Sequence, residues 1–191
     1  AESAGGVCAG DPAPCGFASR WFEDRTYALP LAALPLPKFS NALGIGCSIG
    51  ILTTQLAERC LNLTAMDPSA SALTTAGARV PSHVALVQGS VPADWPTGMW
   101  DLVVLSEVGY YLSAADLDRL LDLIERDLVP GGAVVACHWR HPVADYPRSG
   151  DAVHAALSRW PRLSRVEEQD FLLDVLIPGD SRSVAQREGL L

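Results

Sequence analysis

Gly44-Ile-Gly-Cys-Ser-Ile-Gly50 follows a short apolar run, and Asp67 closes a second apolar run about twenty residues later. Gly46, Cys47, Ser48 and Gly50 form a tight turn that opens a helix, and Pro68 follows the acid. A carboxylate at that point accepts hydrogen bonds from both hydroxyls of a ribose lying over the turn. The pairing implies a nucleoside-bearing cofactor. Two other groups of side chains close apolar runs: Glu107, Tyr110 and Tyr111 after one, His138 and His141 after another. A carboxylate or imidazole placed there can take a proton from a nucleophile, and tyrosine hydroxyls can orient it. His138 and His141 stand beside Cys137 but lack a second ligand pair. Cys137 and His138 also fall on opposite faces of a strand, so no metal centre is expected.

These residues need elements to hold them, and strand and helix signals alternate along the chain. Strands are expected at Ala42–Gly46, Leu61–Met66, Val84–Val87, Trp100–Leu105 and Ala133–His138. Helices are expected around Ile49–Cys60, Ser71–Arg79, Ala114–Leu128 and Asp151–Arg159. Leu117, Leu120, Leu121 and Ile124 form one stripe, and Pro130-Gly131-Gly132 reads as a stop for that helix. Val166–Ile177 suits one long strand or a pair, and the end at Leu191 reads as short of a complete seven-stranded sheet. The alternation implies an α/β, Rossmann-like fold: a mostly parallel twisted sheet with helices on both faces. Trp21–Ala33 has helical spacing and reads as a lid over about 21–34, with Pro30, Pro35 and Pro37 breaking any longer helix. Residues 1–20 are rich in Gly, Ala and Pro and read as a flexible lead, leaving 21–191 as one domain.

With 191 residues, of which 49% are hydrophobic and 19% charged, the chain can build one sizeable core. Its net charge of −8 argues against nucleic acid, because phosphate surfaces need clustered Lys and Arg. No apolar stretch approaches a membrane span, and no charged segment followed by an apolar core opens the chain as a signal peptide would. A soluble, cytoplasmic monomer or homodimer acting on a small molecule is expected. The five cysteines lack a framework spacing and read as free thiols; Cys47, Cys60 and Cys137 fall in or beside core elements, while Cys8 and Cys15 lie in the lead.

Nicotinamide-binding turns follow Gly-x-Gly-x-x-Gly, but the sixth position counted from Gly44 is Ile49. Val87-Gln-Gly-Ser-Val91 closes the third strand with a glycine turn, and Ser106-Glu107 closes the fourth. In an S-adenosylmethionine site the adenine lies beside the end of the third strand, and the methyl group faces the end of the fourth. Ligands in open parallel sheets sit on that rim.

The chain resembles a class I S-adenosylmethionine-dependent methyltransferase, and more narrowly the nodulation protein S (NodS)-like family. The resemblance runs from about Trp21 to Ile177. It is carried by Trp21-Phe-Glu-Asp-Arg25, Gly46-Cys-Ser-Ile-Gly50, Val91-Pro-Ala-Asp-Trp-Pro96, Ser106-Glu-Val-Gly-Tyr-Tyr111 and His138-Trp-Arg-His141. It implies S-adenosyl-L-methionine bound by Gly44, Gly46, Cys47, Ser48, Gly50, Asp67, Pro68, Gly89, Ser90, Val91 and Ser106. Arg25 pairs with the cofactor carboxylate in that reading, and Trp21 packs over it. Glu107, Tyr110 and His138 become the catalytic groups. Tyr111, His141 and Asp151 become acceptor contacts, with Asp145 and His154 as further lining of the cleft.

The family's founding members N-methylate an amino sugar, so an amine of an amino sugar or related natural product is the expected acceptor. A hydroxyl acceptor, a nicotinamide-dependent oxidoreductase and a non-catalytic cofactor-binding module are the alternatives. Three positions depart from the family, and at one of them Ser48 replaces the middle glycine of the usual turn. Gly44 stands where an acid usually holds the methionine ammonium, and Ser90 where an Asp often binds adenine.

Overall fold

The computed structural model describes residues 21–180 and 182–191. The lead expected over 1–20, with Cys8 and Cys15, lies outside them. The chain runs α1 (Trp21–Ala33), β1 (Phe39–Ile45), α2 (Ile51–Ala57), β2 (Cys60–Asp67), α3 (Ala70–Gly77), β3 (Val84–Gln88), β4 (Trp100–Ser106) and a 3₁₀ turn at Gly109–Tyr111. It continues with α4 (Ala114–Asp127), β5 (Leu128–Trp139), α5 (Gly150–Leu157), β6 (Arg162–Glu167), β7 (Phe171–Leu176) and α6 (Val184–Arg187).

One seven-stranded sheet has the order β3-β2-β1-β4-β5-β7-β6. The first five strands are parallel, and β7 pairs antiparallel with both β5 and β6. The stretch read as one strand or two is therefore the end of β6 plus β7, and the seventh strand is present.

Each central strand is apolar on both faces because helices cover both. Along β4, Val103 and Leu105 pack with Leu117, Leu120, Leu121 and Ile124 of α4, while Leu102 and Val104 pack on the opposite side with Phe39 and Leu56. Burying each α4 residue contributes about 1.5–3 kcal/mol. Short caps set where the helices begin. Ser69, Ser113 and Ser149 accept hydrogen bonds from the N–H groups of Ala72, Asp116 and Ala152.

The α1 helix has the expected bounds and carries Pro30 within them. One boundary differs from expectation. Pro130-Gly131-Gly132 does not stop α4, which ends at Asp127; it lies inside β5. Trp100 pairs with Leu128 and Leu102 with Ala133, so these residues form a bulge in the ladder. Gly131 takes a φ of +78° within it.

Candidate active site

The turn after β1 is held by backbone. Gly46 and Cys47 N–H both donate to the Met66 carbonyl, at 2.9 and 3.0 Å, which ties the turn to the end of β2. Gly46 has a φ of +74°, and a Cβ there would sit 2.2 Å from Val108 Cγ2. Only glycine fits between the turn and the β4 loop. Ser48 is exposed, also left-handed at a φ of 48°, and its N–H donates to Asp67 Oδ2 at 2.9 Å. Ser69 N–H donates to Asp67 Oδ1, also at 2.9 Å. Each Asp67 oxygen thus accepts one backbone bond and keeps lone-pair capacity for a hydroxyl. The donor set fits a ribose lying over the turn.

Gly44 is buried in β1, and a Cβ there would meet only the Thr64 carbonyl oxygen at 4.0 Å. Nothing in the backbone requires glycine at this position. Burial pushes the Cys47 thiol up to about 12, with Asp67 adding to the shift, so it stays protonated near neutrality. Cys47, Cys60 and Cys137 are free thiols. Pro68 is exposed, and its carbonyl accepts from Gln88 Nε2 at 3.2 Å.

After β3, Ser90 N–H donates to Asp94 Oδ2 at 2.9 Å, and Val91 is buried. A Cβ on Gly89 would meet Asp94 Cβ at 2.8 Å. Asp94 therefore organises the rim loop expected at the adenine. It lies in the Val91–Pro96 segment, and its four-residue spacing from Ser90 was the available signal.

Ser106 closes β4, and Glu107 follows in the left-handed region at a φ of 57°. A non-glycine residue in that conformation costs roughly 1–3 kcal/mol and clusters at functional sites. Glu107 Oε2 accepts a short hydrogen bond from the Tyr110 hydroxyl. Oε1 accepts from Trp139 N–H at 2.8 Å. Burial pushes the Glu107 carboxyl up to about 7, against the lowering effect of those two bonds. Tyr110 is buried and stacks on Tyr146 with ring centroids 4.7 Å apart. Tyr111 is exposed, and its hydroxyl lies 3.0 Å from that of Tyr146. Tyr146, on the loop after β5, was not singled out in sequence; nothing but its aromatic type marks it there.

Several expected contacts lie elsewhere. His138 is fully buried, and both ring nitrogens are engaged, Nε2 by Gly109 N–H at 3.1 Å and Nδ1 by His154 at 3.2 Å. It offers no lone pair to an acceptor, so it cannot be the proton-accepting base. Arg25 forms a two-pronged pair with Glu168, at 3.0 and 2.6 Å, instead of waiting for a cofactor carboxylate. Trp21 is 75% exposed. Phe22, the next residue, is the aromatic that docks α1, edge-on to Trp139 and Phe171. His141 Nε2 lies 2.7 Å from Asp170. Asp151 accepts two bonds from Arg140, and Arg140 also lies 3.4 Å from Glu167; both carboxylates line a cavity of about 230 Å³ beside α5. Asp145 is exposed. Among the described residues no three His, Cys, Asp or Glu side chains group as metal ligands, and no helix is long and apolar enough to cross a membrane.

The sheet order, the glycine turn after β1, the acid closing β2 and the polar ends of β4 and β5 define a class I S-adenosylmethionine-dependent methyltransferase domain. Residues 43–136 match the family described as a methyltransferase domain. Nodulation protein S of Rhizobium tropici is 34% identical over 150 residues, which are 76% of this chain and 58% of that protein. A Pseudomonas syringae structure assigned as a methyltransferase is 43% identical, covering 83% of this chain and 99% of its own, with a TM-score of 0.73. The N-methyltransferase NodS of Bradyrhizobium japonicum WM9, in complex with S-adenosyl-L-homocysteine, aligns at a TM-score of 0.82 and 26% identity. That alignment covers 89% of this chain and 94% of the NodS chain. The chain belongs to the NodS-like family of S-adenosylmethionine-dependent methyltransferases. It spans 58% and 65% of the full length of the nodulation protein S relatives from Rhizobium tropici and Sinorhizobium fredii.

Proposed function

We propose that this chain methylates an amine on a small acceptor of the amino-sugar class. The observation that carries the proposal is Glu107, a carboxylate on the rim after β4 whose proton affinity is raised to about 7. Bound S-adenosylmethionine supplies a methyl group on a cationic sulfonium. An ammonium nitrogen must first give up one proton; its free lone pair then bonds the methyl carbon as the carbon–sulfur bond breaks, leaving neutral S-adenosylhomocysteine and a protonated N-methyl product. A carboxyl that titrates near neutrality can take a proton from an ammonium group, whereas it is poorly matched to an ordinary hydroxyl.

Tyr110 and Trp139 N–H fix the orientation of that carboxylate. Tyr111 and Tyr146 offer an aromatic wall beside it, and such faces pack well against sugar rings. Asp67, the turn at Gly46–Gly50 and the Ser90–Asp94 loop hold the nucleoside end in this reading. The amino-sugar class is further supported by the likeness to NodS.

The test is a methyl-transfer assay on glucosamine oligosaccharides, their N-acetylated forms and hydroxyl-only sugars. Methylation of the free amines alone is the expected outcome. Methylation of hydroxyl-only sugars at equal or greater rate overturns the amine assignment. Calorimetry with S-adenosylhomocysteine separates the two halves of the reading: no heat would remove the cofactor assignment in this chain.

A further inference from the structure

Behind the rim, four groups on four elements form one buried hydrogen-bonded row. Gly109 N–H meets His138 Nε2 at 3.1 Å, His138 Nδ1 meets His154 Nε2 at 3.2 Å, and His154 Nδ1 meets Asp174 Oδ2 at 2.7 Å. His138, His154 and Asp174 are each no more than 1% exposed. The row has one consistent proton assignment. A backbone N–H can only donate, so His138 Nε2 is a bare lone pair. Neutral imidazole then carries its proton on Nδ1 and donates it to His154 Nε2. His154 in turn must carry its own proton on Nδ1, facing Asp174. Both histidines are therefore neutral, and the contact of His154 with Asp174 is a hydrogen bond to an anion rather than an ion pair.

The far end is anchored by charge. Arg165 donates to both Asp174 oxygens, at 2.8 and 2.7 Å, and Arg162 lies 2.9 Å from Oδ1. Burial alone would raise this carboxyl, but the bonds from Arg165 and His154 outweigh it and hold it below the usual range. The near end is sterically closed. A Cβ on Gly109 would lie 2.5 Å from Val153 Cγ1 and 3.1 Å from His138 Nε2. Gly109 begins the turn that carries Tyr110, and the Tyr110 hydroxyl holds Glu107.

We infer that Asp174 and His154 are positioning residues: they lock the tautomer of His138, which fixes the Gly109–Tyr110 turn and so aims the Glu107 carboxylate. The inference rests on Glu107 acting as the proton acceptor, but its structural half stands independently of any acceptor. A wrong tautomer at either histidine sets Nε2–H of His138 against Gly109 N–H, and the turn must move. Displacements of about 1 Å in supporting groups cost on the order of 10²-fold in rate.

The test uses the full chain, ¹⁵N-imidazole NMR, ¹³C-carboxyl titration of Glu107 and turnover with glucosamine oligosaccharides. In the wild type both histidines should show protonated Nδ1 and bare Nε2. Asp174→Asn can present either an oxygen or an NH₂ to His154, so it releases the tautomer; Arg162 and Arg165, with side chains 36% and 28% exposed, can turn to water. This variant should scramble the His138 pattern and lower kcat by about 10- to 100-fold with the cofactor KM unchanged. It should also move the Glu107 titration upward, because the Tyr110 bond that lowers it is lost. The groups around that carboxyl are Tyr110, Tyr111, Trp139 N–H, Glu23, Tyr27 and Cys137.

His154→Gln keeps an acceptor toward His138 and a donor toward Asp174, and should preserve the His138 pattern and most of the rate. His154→Leu should lose both, and if it does not fold, Asp174→Asn and His154→Gln decide. A wild-type His138 protonated on Nε2 overturns the inference. So does an Asp174→Asn protein with unchanged histidine and Glu107 spectra. Correct spectra with no amine methylated would leave the row standing and remove only the acceptor reading.

Discussion

The two halves of the sheet rim are built in opposite ways. On the β1–β2 side the turn is held by backbone groups: Gly46, Cys47 and Ser48 donate through N–H to Met66 and Asp67. On the β4–β5 side the rim is held by side chains: Glu107 with Tyr110, His138 with His154, and Asp174 with two arginines. Away from Gly46, where a Cβ would strike Val108, a backbone-held site tolerates changes of side chain as long as the dihedral angles are kept. Ser48 and Gly44 show this, since neither breaks the turn. A side-chain-held site has no such latitude, because each group occupies the hydrogen-bonding capacity of the next. Substitutions should therefore act on cofactor affinity on one side and on turnover on the other.

The largest effect is expected at Glu107→Ala, which should lower kcat by about 10²- to 10⁴-fold and remove a rate limb rising through pH of about 7, while S-adenosylhomocysteine still binds. Full turnover in that variant, measured across pH 5–9, would erase the distinction between the halves. Glu107→Gln should next show a stability effect of definite sign. The folded carboxyl binds its proton more tightly than the unfolded one. Its contribution is therefore complete below the ordinary carboxyl range and lost as pH rises through about 7. The neutral amide should gain roughly 3–4 kcal/mol relative to wild type between acid and mildly alkaline pH, read from denaturant midpoints at the two extremes.

On the cofactor side, Asp67→Ala should weaken S-adenosylhomocysteine binding by about 10- to 100-fold, the value of charge-assisted hydrogen bonds. Calorimetry checks this, and an equal loss of kcat at saturating cofactor would show that the halves are not separable. Smallest is Arg25→Ala. Its pair with Glu168 is about a third exposed on both sides, so thermal unfolding should report no more than about 1 kcal/mol.

The same contrast decides what the sequence could reveal. The glycine turn and Asp67 form one local pattern within a β-α-β unit, so their neighbourhood is legible from spacing alone. The alternation of strands and helices likewise gave the fold, including the apolar stripe of α4. The row behind the acceptor rim is assembled from β5, α5 and β7, which no short pattern joins. Asp174 lies in Phe-Leu-Leu-Asp-Val-Leu, where a single acid in an apolar run reads as core; that acid was the signal, since a buried carboxylate demands partners. His138 was correctly placed at the end of a strand, but burial could not be read there, and burial converts an expected base into a support. Trp21 and Phe22 show the limit of helical spacing: adjacent aromatics compete for one face, and only packing chooses between them. Pro130-Gly131-Gly132 looked like a helix stop because the same residues also serve bulges.

The antiparallel course of β7 also carries a consequence for synthesis. The ribosome releases the glycine turn and Asp67 early, and their partners are close in sequence. His138 emerges later, and its row stays incomplete until the β6–β7 hairpin folds back against β5 and delivers Asp174. The glycine turn and Asp67 can thus be in place while the supports behind Glu107 still wait for the β6–β7 hairpin to dock.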